Sequence, residues 1–255
     1  MKYSSDFYNE MKDSNMESAK IVVPLVLSYL DGVDSMIDIG CGTGIWTKVF
    51  KDNGVKEVMG VDGSWVKEDS LLIKKDEFIQ KDLSTKLGVD KKFDLAISLE
   101  VAEHIEKSSA DIFVDNLVNL APVILFSAAI PLQGGTHHIN EQWPSYWEEK
   151  FNERGYVVVD CIRRQVWENK GVSFFYAQNI MFFVRKELLS KYPKLEQELK
   201  NGNGKALSLV HPRMYYYYGL RWKKVVPFVS KFPVWFIHFC KKFFRSSGES
   251  SDSLK

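Results

Sequence analysis

The chain has 255 residues, 45% of them hydrophobic, which suits one large domain or a medium domain with an appendage and argues against disorder as its main state. The formal net charge of +1 is unevenly spread: residues 205–245 hold nine Lys or Arg and no acid, while the remainder carries 25 basic against 33 acidic residues. That balance excludes a globally basic nucleic-acid binder and leaves an anionic partner open for the C-terminal part alone. Cys41, Cys161 and Cys240 are odd in number and widely spaced, as in a reducing, cytoplasmic setting. The first 20 residues contain no apolar run of signal-peptide type, and no stretch reaches the ~18 apolar residues of a membrane span.

In chain order, residues 1–34 read as a helical cap, with 21–30 forming an apolar helix or helix pair. Strands are expected at 36–39, 58–62, 77–82, 93–99 and 123–126, and helices at 45–52 and 108–120, with a charged helical stretch before the third strand. Such alternation specifies a parallel sheet covered on both faces. A helix at 143–154 is followed by strand-like runs at 156–162 and 173–185, an antiparallel hairpin added at one edge. The expectation is an α/β fold: a doubly wound, mostly parallel seven-stranded sheet over residues 35–187. Residues 188–245 form an appendage, expected to be helical, aromatic and basic, and 246–255 a disordered polar tail.

The run Asp38-Ile39-Gly40-Cys41-Gly42-Thr43-Gly44 leaves the first strand and enters a helix. Alternate glycines there expose bare backbone to a nucleotide-like ligand. Asp62, 22 positions beyond Gly40, ends the second strand where a carboxylate can accept both ribose hydroxyls, of a dinucleotide or of S-adenosylmethionine. Dinucleotide sites favour G-x-G-x-x-G facing a pyrophosphate. Here the spacing is G-x-G-x-G behind an acid, which suits a ligand carrying a cationic sulfonium and an amino group.

On these residues the stretch from about 35 to 186 resembles the class I S-adenosylmethionine-dependent methyltransferases. The resemblance implies a Rossmann-like fold and a cofactor site of Asp38, Gly40, Cys41, Gly42, Gly44, Asp62, Gly63, Asp82, Leu83 and Leu99. Asp62 is implied as the ribose acid and Asp82 as the residue near the adenine amino group.

Acceptor chemistry is expected from two polar clusters on the same rim. Glu100-Val101-Ala102-Glu103-His104 follows the fourth strand, where one helical turn would bring positions 100, 103 and 104 to one face. The second cluster, residues 133–143, follows the fifth strand and contains Gly134, Gly135, His137 and His138. Glu-x-x-Glu-His with a distant His-x-x-Glu resembles the metal-binding pattern of small-RNA 3′-terminal 2′-O-methyltransferases, and its first half that of quinone-biosynthesis O-methyltransferases. Residues 140–147 look similar to methyltransferases found with bacterial surface-polysaccharide genes. A divalent metal, Mn²⁺, Mg²⁺ or Fe²⁺, is expected on Glu100, Glu103, His104 and His138, with His138, His104 or His137 as catalytic base.

The segment 205–245 interleaves aromatics with cations, a composition that can stack on sugars or lie in a membrane interface. The functional expectation is an O-methyltransferase acting on a sugar hydroxyl of a cell-surface polysaccharide precursor (capsule or O-antigen). Its acceptor would be a small-molecule, nucleotide-linked or lipid-linked glycan, met in the cytoplasm or at the inner face of the membrane. RNA 2′-O-methylation is weakened because phosphate neutralisation would rest on the C-terminal segment alone, so no nucleic-acid partner is expected. A non-catalytic S-adenosylmethionine-binding module that engages a membrane or partner is the reading from another class.

Overall fold

The computed structural model describes residues 5–202 and 206–216, with residues 5–12 as backbone only. The aromatic and basic run from 217 onward, Cys240 within it, and the tail 246–255 lie outside the described residues. The chain divides into two units, Met1–His211 and Pro212–Lys255, and the fold below is that of the first.

Helix α1 (Ser5–Tyr29) runs through Pro24 as a single element. Then come β1 (Ser35–Ile39), α2 (Ile45–Asp52), β2 (Glu57–Asp62), β3 (Phe78–Gln80), β4 (Leu95–Leu99), α3 (Ala110–Leu120), β5 (Val123–Ser127) and α4 (Pro144–Asn152). The sequence ends this unit with β6 (Tyr156–Val159), α5 (Ile162–Val166), α6 (Phe174–Asn179), β7 (Met181–Arg185) and α7 (Pro193–Gly202). The seven strands lie in the order β3-β2-β1-β4-β5-β7-β6, with β7 antiparallel to both neighbours and the other pairings parallel. The expected seven-stranded, mostly parallel sheet with an antiparallel end is therefore present.

The central strands are continuous apolar runs because both sheet faces are covered. Alternate residues serve two cores. Met36, Leu95, Ile97, Leu125 and Phe182 pack under α1 and α2, whereas Ile37, Ala96, Ile124 and Phe183 pack under α3 and α4. Chain order reverses between β1 and β4, so the crevice beyond their carboxyl ends is the place where such sheets take ligands.

Three local expectations are corrected. The charged stretch before β3 is not a helix but two single 3-10 turns, Glu68–Ser70 and Lys75–Glu77, because no buried residue in either turn gives a helix a face to dock. The run expected as strand over 156–162 is strand only to Val159, and Ile162 instead begins α5, which buries Ile162 and Val166. The run 173–185 is strand only in its second half. Its first half is α6, whose aromatics fill the space beside α2: the Tyr176 ring sits 4.9 Å from that of Trp46, and its hydroxyl accepts the Trp46 indole N–H at 3.2 Å. Aromatic β-propensity reflects a half-buried pleated surface, and here packing against a helix overrides it.

Candidate active site

The glycine turn is built as a left-handed cradle. Gly40, Gly42 and Gly44 have φ of 87°, 53° and 81°. Gly40 N–H donates to Val61 O at 2.8 Å and Gly44 N–H to Cys41 O at 2.8 Å, closing the turn against β2. A β-carbon on Gly40 would lie 2.3 Å from Val101, whereas one on Gly42 would meet no protein atom within 4 Å. The space over Gly42 is thus open.

Asp62 closes that space from the side. Its Oδ2 accepts Gly42 N–H at 2.6 Å and its Oδ1 accepts Gly63 N–H at 2.7 Å, and burial raises its pKa against these bonds. Asp38 lies beneath the turn, accepting the Thr47 hydroxyl at 2.8 Å, and burial pushes its pKa up to about 7. Two carboxylates under one glycine turn make a pocket that favours a cationic ligand. Cys41 is buried with its thiol turned toward Gly60, so it offers the turn its backbone rather than its sulfur. Asp82 lies two residues beyond β3, exposed, with Oδ1 accepting both the amide and the hydroxyl of Ser84, which lowers its pKa. Leu83 is packed in the core beside α3, and Leu99 ends β4 in the opposite core.

The second part of the rim gathers Glu103, His104 and His138, from each of which one ligand atom lies within 4.8 Å of the others. Glu100 does not join them. It takes a left-handed conformation (φ 57°) before the 3-10 turn Ala102–His104, which breaks the helical spacing expected of positions 100, 103 and 104. Its carboxylate is buried and accepts Gln133 Nε2–H at 2.7 Å and Asn179 Nδ2–H at 3.0 Å, so the expected four-ligand set reduces to three. His137 is exposed at φ 60° and brings its carbonyl, not its ring, to the cluster.

Hydrogen bonds fix both imidazoles. His104 Nδ1–H donates to His137 O at 3.2 Å, and His138 Nδ1–H donates to Glu141 Oε1 at 2.9 Å. In the neutral rings, each Nε2 then carries a lone pair. His138 Nε2 lies 3.9 Å from Glu103 Oε1, and the two histidine rings meet edge to face at 4.8 Å. Glu103 is fully buried, and neither of its oxygens accepts a hydrogen bond of good geometry, although the amides of Glu103 itself and of Ala129 face the carboxylate. Burial, then the neighbouring Glu100 carboxylate, drives its pKa well up, and burial followed by His138 lowers that of His104. Three acceptor groups converge with no donor among them, an arrangement that calls for a proton or a metal cation.

Glu141, the last residue of the His-x-x-Glu pattern, is given no role by the sequence but takes one in the structure. Besides His138, it accepts Leu132 N–H at 2.8 Å and Gly134 N–H at 2.7 Å, so one carboxylate ties the whole loop. Its spacing from His138 was visible, but its two backbone partners depend on the loop's conformation. Gly135 has a similar hidden role, since a β-carbon there would sit 2.2 Å from the His138 ring.

Residues 14–127 match the family model of a methyltransferase domain. That stretch is less than half of the chain and contains the glycine turn and Asp62. It is 26% identical over 163 residues to a ribosomal protein L11 methyltransferase from Agathobacter rectalis, a match covering 60% of this chain and 49% of that protein. The chain thus spans about half the length of that curated relative. Among solved structures, it is similar to magnesium protoporphyrin IX methyltransferase from Synechocystis PCC 6803 with bound SAH, at a TM-score of 0.53 and 18% identity over 72% of this chain and 90% of that one. It is also similar to a Haloferax volcanii putative methyltransferase solved with the Trm112 activator, at a TM-score of 0.51 and 14% identity over 71% and 94% of the two chains. These likenesses show the methyltransferase fold. Among the described residues, no helix is long and apolar enough to cross a membrane.

Proposed function

We propose that this protein transfers a methyl group from S-adenosylmethionine to a sugar hydroxyl of a cell-surface polysaccharide precursor, with a divalent cation held by Glu103, His104 and His138. The observation that carries the cation is the Glu103 carboxylate, fully buried beside His138 Nε2 with neither oxygen accepting a hydrogen bond of good geometry. The donor set, one carboxylate and two imidazoles, suits Mn²⁺ or Fe²⁺ and tolerates Mg²⁺. The open cradle over Gly42, flanked by Asp62 and underlain by Asp38, fits a cationic nucleoside.

When bound, the donor supplies the methyl group and the cation lowers the pKa of the hydroxyl. The chain's residues do the rest. Asp62 accepts ribose hydroxyls, and Asp38 supplies negative charge under the turn. Glu141 holds the Nδ1–H of His138, so that Nε2 faces the cluster. The same pairing favours one rival: without metal, His138 Nε2 takes the hydroxyl proton and Glu141 steadies the imidazolium. For the acceptor, Leu132, Ile139 and Trp143 are exposed on the loop that carries His138, an apolar rim with an indole able to stack on a sugar ring. That rim, with the likeness of residues 140–147 to surface-polysaccharide methyltransferases, supports a lipid-linked glycan, and the basic run 205–245 would meet the membrane's inner face.

Methyl transfer from labelled S-adenosylmethionine to nucleotide sugars, lipid-linked glycans and RNA, with and without EDTA, tests this. The proposal expects glycan methylation that EDTA abolishes and Mn²⁺ or Mg²⁺ restores, with Glu103→Gln and His138→Ala each losing about 100-fold or more. Full turnover in EDTA with His138 alone essential would leave the general-base mechanism. Methylation of RNA in place of glycans would overturn the acceptor.

A further inference from the structure

Residues 206–211 follow α7 as a strap that buries little apolar surface: Leu209 and Val210 are exposed, Leu207 is half-buried, and His211 is buried. Hydrogen bonds hold it instead. Leu207 O accepts Arg163 Nη1–H at 2.8 Å, His211 N–H donates to Gln178 Oε1 at 2.7 Å, and His211 Nε2–H donates to Trp167 O at 2.7 Å. Arg163 is itself fixed by Asp160 and by the main-chain oxygen of Gln178.

From Gln178 a chain of buried carboxamides runs to the acceptor rim. Gln178 Nε2–H donates to Gln133 Oε1 at 3.0 Å, and Gln133 Nε2–H donates to Glu100 Oε2 at 2.7 Å. Asn179 braces this chain, donating to Gln133 Oε1 at 2.9 Å and to Glu100 Oε1 at 3.0 Å. Gln133 opens the loop that carries His138, and Glu100 leads into the turn that carries Glu103 and His104. The bond between them therefore ties the two ligand-bearing segments at their roots. A carboxamide has one donor end and one acceptor end. The His211 amide can only donate, so it fixes Gln178 Oε1 on the strap side and Nε2 on the rim side. Gln133 then turns its oxygen to Gln178 and its nitrogen to Glu100. Every donor points toward the carboxylate, and bonds aligned in this way strengthen one another.

We propose that Gln178 is a positioning residue that couples the strap 206–211 to the acceptor rim, so that Glu103, His104 and His138 hold their working geometry only while the strap is seated. This rests on the proposed function above. Because polar bonds rather than apolar burial seat the strap, it opens at lower cost than the sheet does. Lifting it frees the rim and leaves the glycine cradle in place.

The test is amide hydrogen exchange read by mass spectrometry, with Mn²⁺ titration read by electron paramagnetic resonance, on the full chain as wild type, Gln178→Met and His211→Ala. Gln178→Met keeps the length of the side chain and removes its hydrogen bonds, whereas His211→Ala changes the strap end. Expected in Gln178→Met is exchange about tenfold faster across residues 130–142, unchanged exchange across 36–44, and Mn²⁺ affinity lower by about 10- to 100-fold. His211→Ala should move both readings in the same direction by about threefold or more, which simple support of the fold at residue 211 would not do. If Gln178→Met does not fold, His211→Ala decides alone. Wild-type exchange across 130–142 in the folded variants, or faster exchange spread evenly over the sheet, overturns the coupling. If the wild type binds no Mn²⁺ while the exchange pattern is as expected, the metal reading falls and the coupling stands.

Discussion

Gly40 and Gly42 sit two residues apart in left-handed backbone, yet a methyl group on each would meet different things. Alanine at Gly40 would drive a β-carbon into Val101 in addition to the conformational cost of ~1–2 kcal/mol, so Gly40→Ala should lower the melting temperature by several degrees. Alanine at Gly42 carries only the conformational cost inside the protein, and its methyl enters the cradle. Gly42→Ala should therefore weaken S-adenosylmethionine binding more than it weakens folding, and comparing thermal unfolding with calorimetric affinity in the two variants separates the effects. Asp38 makes a pH prediction of definite sign. With its folded pKa raised to about 7 by burial, it favours folding below the unfolded value near 4, and that contribution is lost as pH rises through about 7. A cationic ligand reverses the preference. S-adenosylmethionine affinity should fall by up to about tenfold per unit as pH drops below 7, and Asp38→Asn should flatten that slope; an unchanged slope would remove Asp38 from the site.

At the scale of elements, the histidine loop shows what a sequence can and cannot convey. The approach of His138 to Glu103 across two rim segments was readable from strand order, since each segment follows a central strand at its carboxyl end. The failure of Glu100 to join them was not. It depends on one residue adopting φ 57° and on amides from Gln133 and Asn179, which are 33 and 79 residues away. Likewise, the aromatic run 173–179 carries strand propensity in isolation and becomes helix only because Trp46 waits for Tyr176. Glu141 belongs to this scale because it ties Leu132, Gly134 and His138 together. Glu141→Ala should reduce turnover about 10–100-fold, as loss of a carboxylate behind a ligating or basic histidine does elsewhere, while leaving S-adenosylhomocysteine affinity near wild type. An equal loss of cofactor affinity would mean that the loop supports the cradle rather than the acceptor.

Across the whole first unit, the alternating pattern of strands and helices was legible because each central strand must bury two faces, which leaves long apolar runs with few alternatives. Its C-terminal limit was less so. The sequence suggests an end near residue 187, whereas the first unit extends to His211. Buried Arg163 donates to Leu207 O at 2.8 Å and Gln178 Oε1 accepts His211 N–H at 2.7 Å, long-range bonds that no local pattern announces. The same sheet places the glycine cradle and the Glu103 cluster beyond the carboxyl ends of β1 and β4, and the proposed function requires that cradle to receive the methyl donor. Calorimetric titration of S-adenosylmethionine into the wild-type chain and Asp62→Ala tests it most directly. Saturable one-to-one binding is expected, weakened by roughly tenfold or more when two charge-assisted hydrogen bonds are lost. Equal affinity in both proteins, or tight binding of NADH in place of S-adenosylmethionine, would contradict it.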